Sequence, residues 1–184
     1  MSAKSIAQRT RFFLAVEGRG DQSFIKWLGM LSEQNGGHIA LDCEPVNGGG
    51  YKSMLQKAIR LRRRRERSRA EACILMVDAD RAASGNDGWT IGQLKIEAKK
   101  HGISVCAQSP NLEGLFLRMM PGNEQLQPSP TAAKRELLRA WPDYENPVDA
   151  ATLSSKFNQS DLERVARHDP DLQSLLKTIG LIKL

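Results

Sequence analysis

The chain has 184 residues, enough for one ordinary domain, or one domain with a short appendage, and enough to bury a core without disulfide or zinc staples. Hydrophobic residues make up 40% and charged residues 26%, with 15 glycines and 8 prolines, which excludes a coiled coil, a collagen-like fibre and a wholly disordered chain. The net charge is +6, yet nine of the 27 basic residues crowd into Tyr51–Ala70 against one acid, Glu66, leaving 18 basic and 20 acidic residues elsewhere. One basic element on a near-neutral body is the charge pattern that a phosphate-backbone partner requires. No apolar run approaches the roughly 20 residues that span a bilayer. The polar stretch Met1–Thr10 has no apolar h-region. Cys43, Cys73 and Cys106 are widely spaced and read as reduced thiols. The expectation is a cytoplasmic protein with no membrane partner.

Taken in chain order, Arg11–Val16 is a short apolar run too short for a helix, and reads as a buried strand. Asp21–Leu31 places Phe24, Ile25, Leu28 and Leu31 on one helical face. His38–Glu44 alternates, with Ile39, Leu41 and Cys43 on one side, and reads as a second strand. Asn47-Gly48-Gly49-Gly50 is a turn opening a basic helix from about Tyr51; it lacks P-loop spacing, though its N–H groups could touch a phosphate. Cys73–Val77 is a continuous apolar strand of the kind buried on both faces of a parallel sheet. Thr90 with Gln93 forms a capping box for a helix running to Gly102. Ile103–Ala107 is a fourth strand and Leu112–Met120 a short helix. This alternation predicts an α/β fold: an open, mainly parallel four-stranded sheet flanked by helices. Beyond Pro121 the pattern turns helical, with Thr131–Trp141, a capping box at Ser160–Glu163, and a last helix begun by Asp169-Pro170 and stopped at Gly180. The predicted organisation is an α/β domain over residues 1–122 and a C-terminal helical extension over 123–184 packed on it.

In an open parallel sheet, ligands bind beyond the carboxyl ends of the strands. Glu17 follows the first strand directly, Asp78 ends the third, and Asp80 lies two residues on. If strand geometry persists, Asp78 and Asp80 point the same way about 7 Å apart. Asp21 lies one helical turn after Glu17, and Glu113 follows the fourth strand at the same edge. An acid after a strand commonly serves as a helix N-cap, but several strands delivering acids to one edge suit a hard cation such as Mg²⁺. The candidate metal ligands are therefore Glu17, Asp21, Asp78 and Asp80.

These residues carry a family resemblance. Val16-Glu17-Gly18 after one hydrophobic strand, with Asp78-Ala79-Asp80 after a later one, resembles the TOPRIM domain of topoisomerases, bacterial primases and overcoming-lysogenization-defect (OLD) nucleases. The order EGRGDQSF, VDADR, SPNLEGLFLRMM is similar to RloB-like proteins, over roughly Phe12–Met120. The resemblance implies a catalytic set of Glu17, Asp78, Asp80 and Glu113, with Asp21 matching an acidic position of OLD-type nucleases and Mg²⁺ or Mn²⁺ as the cofactor. It also implies a bacterial defence-type effector that works with an ATPase partner. Ala82 stands where topoisomerases carry a third Asp, and neither Tyr51 nor Tyr144 is placed as a nucleophile, which argues against topoisomerase activity.

For the nucleic-acid partner, DNA or RNA, the candidate phosphate contacts are Lys52, Arg60, Arg63, Arg64, Arg67 and Arg81. Arg60, Arg63, Arg64 and Arg67 share one helical face, with Arg62, Arg65 and Arg69 in a neighbouring stripe; none of these charges is expected to face a core. The resulting expectation is a divalent-metal-dependent nuclease or phosphodiesterase. The alternative is a non-catalytic or partner-activated module that binds nucleic acid or nucleotide.

Overall fold

The computed structural model describes residues 9–65, 70–80 and 87–183. Four parallel strands, β1 (Thr10–Val16), β2 (Ile39–Pro45), β3 (Ala72–Asp78) and β4 (Ile103–Gln108), form one open sheet in the order β2-β1-β3-β4. Among the described residues eight helices flank it: α1 (Arg19–Gln34), α2 (Tyr51–Arg65), α3 (Ile91–Lys100), α4 (Leu112–Met119), α5 (Pro130–Ala140), α6 (Ala150–Lys156), α7 (Gln159–Ala166) and α8 (Pro170–Thr178). The fold class is the α/β class expected from the alternation of apolar runs. No described helix is long and apolar enough to cross a membrane.

Strand alternation divides the core in two. Phe12, Leu14 and Val16 of β1 and Ile74 and Met76 of β3 face α1, α4 and the C-terminal helices. Phe13 and Ala15 of β1 and Cys73, Leu75 and Val77 of β3 face Tyr51, Met54 and Ala58 of α2 and Leu94 and Ala98 of α3. This two-sided burial explains why β1 and β3 read as unbroken apolar strings. Edge strand β2 is only half-buried and keeps its alternation.

The chain leaves β1 toward β2 across one face, and leaves β3 toward β4 across the other. The carboxyl ends of the neighbouring strands β1 and β3 therefore bound the point where the winding reverses, the crevice in which such sheets bind ligands.

The C-terminal helices share the first core with the sheet. Phe24 and Trp27 of α1 and Phe116 of α4 meet Trp141, Tyr144 and Phe157, with ring centroids 5.3 to 6.3 Å apart. Buried Arg118 of α4 pairs with Asp169, which also caps α8 by accepting from Leu172 N at 2.9 Å. This array fixes the loop carrying Tyr144 and Asn146 against α1 and α4.

Most local expectations hold, including the Thr90–Gln93 capping box of α3 and the left-handed Gly102 and Gly180 after α3 and α8. Two helix starts differ. The cap of α7 is Asn158 in a capping box with Asp161, two residues before the Ser160–Glu163 pattern, because the Asn158 side chain accepts from both Ser160 N and Asp161 N. Helix α6, capped by Asp149, is one short element with no apolar periodicity to reveal it. The three cysteines are free thiols; burial raises Cys43 to about 12 and Cys73 to about 11.

Phe157 touches Trp27, Phe116 and Trp141 at once. Phe157→Ala should therefore cost about 3–5 kcal/mol in urea unfolding. A fragment of residues 1–122, with Phe24, Trp27 and Phe116 uncovered, should show no cooperative thermal transition. A fragment melting cooperatively near the temperature of the full chain would contradict the shared core.

Candidate functional site

The site is built by strand pairing. Val16 pairs with Met76 and Asp78 with Gln108, so the ends of β1, β3 and β4 lie side by side. Glu17 leaves β1 at that edge, and its Oε2 accepts a hydrogen bond from Asp78 N at 3.3 Å. Gly18 is the N-cap of α1, and Asp21 reaches back to accept from Gly18 N at 2.9 Å. Glu17 and Asp21 are both buried, at 7% and 6% exposure.

Gln108 is nearly inaccessible and lies between two of the acids. With its amide nitrogen turned to the carboxylates, as their acceptor character requires, it donates to Asp21 Oδ1 at 3.0 Å and Asp78 Oδ1 at 2.9 Å. Glu113, in the first turn of α4, accepts from Asn146 Nδ2 at 2.9 Å and from the Tyr144 hydroxyl at 3.5 Å. Glu17, Asp21, Asp78 and Glu113 line one open pocket of about 370 Å³, together with Gly18, Arg19, Gly20, Asn47, Gly48, Leu112 and Asn146.

Asp80 departs from the expected arrangement. The strand ends at Asp78, and Ala79-Asp80 turns away, with Asp80 N donating to Pro110 O at 3.1 Å. Its carboxylate instead accepts from Asn111 Nδ2 at 3.3 Å, and Asp80 does not line the pocket. The turn is held from below by buried Tyr51, whose hydroxyl donates to the carbonyls of Asp78 and Ala79 at 2.9 and 3.2 Å. Tyr51 is thus a brace for the loop.

The electrostatics are one-sided. Burial raises the Asp78 carboxyl to about 8, reinforced by the charges of Asp21, Glu17, Asp80 and Glu113. Burial likewise raises Asp21 to about 6, against the lowering effect of the Gly18 N–H. Tyr144 is raised as well, by burial and then by Glu113. Among the described residues the one cationic side chain lining this pocket is Arg19. An all-oxygen donor set with this excess of negative charge fits a hard divalent cation, which takes one or two carboxylates and keeps its waters. Among the described residues, however, no three His, Cys, Asp or Glu side chains converge on a common ion position. The carboxylates are instead held by neighbouring donors: Asp78 N on Glu17, Gly18 N on Asp21, Asn111 on Asp80, Asn146 on Glu113, and Gln108 shared between Asp21 and Asp78.

The basic residues are sorted differently from expectation. Arg67 and Arg81 lie outside the described residues. Lys52, Arg60, Arg63 and Arg64 are exposed. Arg62 is not part of a solvated stripe: it is half-buried and its guanidinium donates to the carbonyl of His101 at the end of α3. Lys57 Nζ donates to the carbonyls of Val46, Asn47 and Gly48 at 2.7, 3.5 and 3.3 Å, fixing the β2–α2 turn. That turn uses left-handed Asn47, Gly48 and Gly49. The first turn of α2 does not offer all its N–H groups to a phosphate, because Lys52 N already donates to Asp87 Oδ2 at 2.8 Å. A Cβ at Gly50 would collide with that carboxylate.

Sequence reasoning missed Gln108, Arg19, Asn146 and Tyr144. Gln108 carried a signal, being the strand-end residue beside Asp78; Tyr144 and Asn146 arrive only through tertiary packing. Comparison with protein-family models, with curated proteins and with solved structures gives no match.

An acid whose folded-state pKa exceeds its unfolded value of about 3.9 holds its proton more tightly in the native state. Its contribution to stability is complete below about pH 4 and is lost as the pH rises through about 6 for Asp21 and about 8 for Asp78. In metal-free buffer the melting temperature should fall from about pH 5 to about pH 8. Asp78→Asn should melt higher than wild type at the alkaline end and show a shallower profile. Parallel profiles for the two proteins would contradict the carboxylate cluster.

Proposed function

We propose that this chain is a Mg²⁺- or Mn²⁺-dependent phosphodiesterase acting on nucleic acid, a nuclease of TOPRIM, RloB-like type in a bacterial defence role. The observation that carries this reading is the position of Asp78. It sits at the reversal point of a parallel sheet, in the field of four other carboxylates. A structural acid has no reason to be concentrated with its like in a half-buried crevice, because the repulsion costs stability. A ligand site does.

Asp78, Glu17 and Asp21 are the residues that would hold the cation, with Gln108 fixing the orientation of Asp21 and Asp78. A divalent cation there supplies the positive charge that a phosphodiester needs as negative charge builds on its oxygens. Glu17 takes a proton, at a carboxylate oxygen, from the water that adds to phosphorus as the P–O bond to the leaving strand breaks. Its orientation is set by the Asp78 N–H. Arg19, which lines the pocket, would hold a phosphate oxygen. Glu113, oriented by Asn146, completes the edge, and the proton taken by Glu17 passes through water to the leaving oxygen.

A second reading, a partner-activated or non-catalytic binding module, is favoured by one observation: among the described residues no three carboxylates converge on a common ion position. In that reading an ATPase partner, implied by the RloB-like resemblance, draws the site together. Cleavage by the isolated chain separates the two.

Millimolar Mg²⁺ or Mn²⁺ should raise the melting temperature of the wild-type protein, since an ion bound to the native state alone stabilises it. Asp78→Asn should lose that shift together with metal-dependent cleavage of labelled DNA or RNA. Glu17→Gln should lower turnover by about 10²-fold or more; a retained shift marks Glu17 as mainly the proton acceptor, and a lost shift marks it as a primary ligand of the cation. Equal Mg²⁺-induced shifts in wild type and Asp78→Asn would remove the metal assignment.

A further inference from the structure

A second pocket, of about 340 Å³, opens beside the first and is lined by Pro45, Val46, Asn47, Lys57, Arg60, Leu61 and Arg64. The four α2 residues fall at spacings of three and four, so a single stripe of the helix faces the β2–α2 turn. Val46 N donates to Val16 O at 2.7 Å, so this turn sits next to the end of β1. Asn47 lines both pockets, making the two clefts neighbours across one residue of left-handed backbone.

The two guanidinium groups in this cleft differ from the arginines of the C-terminal helices and α4. Arg118, Arg135, Arg139 and Arg164 each hold a carboxylate. Among the described residues neither Arg60 nor Arg64 is in an ion pair; Arg60 Nε donates only to the Gln56 carbonyl of its own helix, at 3.3 Å. Asp42 and Glu44 are aligned in register with Phe13 and Ala15 and project toward the same side of the sheet, but neither lines the cleft. Helical side chains lean toward the N-terminus. Arg60 and Arg64 therefore project back along α2 toward the sheet edge that carries the carboxylates. Lys57 adds its charge to the cleft while its ammonium is engaged by the turn.

We propose that the cleft formed by the β2–α2 turn, Arg60 and Arg64 seats a backbone phosphate of a polynucleotide strand whose neighbouring phosphodiester lies in the carboxylate pocket. The inference rests on the reading of the carboxylate edge as a nucleic-acid site, and it gives the strand a direction across Asn47. It also divides the arginine run: Arg60 and Arg64 contact the strand, whereas Arg62 holds the carbonyl of His101.

The test is binding of a fluorescently labelled oligothymidylate, followed by anisotropy in metal-free buffer from about 50 to 200 mM salt. Wild type is compared with Arg60→Gln/Arg64→Gln and with a charge-matched control on α5, Arg135→Gln/Arg139→Gln; circular dichroism confirms that each is folded. The cleft variant should bind at least about tenfold more weakly at low salt, with a salt slope reduced by about 0.7–1.4, whereas the control keeps the wild-type slope. Equal loss in both variants, or none in the cleft variant, overturns the proposal. Thymidine monophosphate and inorganic phosphate, at matched phosphate concentration, should displace the strand far less well than unlabelled oligothymidylate. Equal displacement would overturn a strand track in favour of a mononucleotide or free-anion site. Because binding is read without metal, a protein that binds as described but never cuts would retain this cleft and sink the phosphodiesterase reading alone.

Discussion

The parallel pairing of β1 with β3 is the constraint on which the rest depends. Two apolar strands, each buried on both faces, stabilise one another through the layers they separate, and their register is set by which side chains face which layer. A slip of one residue would exchange Phe12, Leu14 and Val16 for Phe13 and Ala15 and disrupt both cores. The register that satisfies the cores also brings the Asp78 N–H to Glu17 and places Gln108 beside Asp78. Chemistry at the edge is therefore a by-product of hydrophobic matching below it.

What the sheet assembles, the C-terminal helices complete. The aromatic array from Phe24 to Phe157 holds residues 141–148 against α1 and α4, and through it Asn146 reaches Glu113. Gly20 permits this approach: a Cβ there would press on Leu112 at 3.0 Å and Asn146 at 3.4 Å. Burial works against the acids gathered at this edge, lifting Asp78 and Asp21 well above ordinary carboxylates. The fold tolerates a locally unfavourable concentration of charge because the two cores beneath it are extensive, a compromise typical of sites that bind ligands.

The parts legible in the sequence were those encoded locally. Continuous apolar strings marked β1 and β3, alternation marked β2, and the acids beyond the strands marked the edge. The expected strand geometry from Asp78 to Asp80 does not persist because the strand stops at Asp78, and nothing in the Asp-Ala-Asp spelling shows where the pleat gives way to a turn. The arginine run shows a related limit. Helical spacing groups residues on faces, but which face meets the β2–α2 turn and which meets His101 depends on how α2 lies on the sheet. Gln108, Asp87, Tyr144 and Asn146 act across 30 or more residues of chain, where no periodicity reports them.

The central claim is that the carboxylates at the reversal point form a divalent-cation site. Its most direct test is anomalous scattering from a crystal of the wild-type protein soaked in Mn²⁺. The account predicts a peak in the pocket between β1 and β3, within about 2.0–2.3 Å of carboxylate oxygens of Asp78 and of Glu17 or Asp21. A saturated crystal with no peak at this edge, or with Mn²⁺ only elsewhere on the surface, would contradict it.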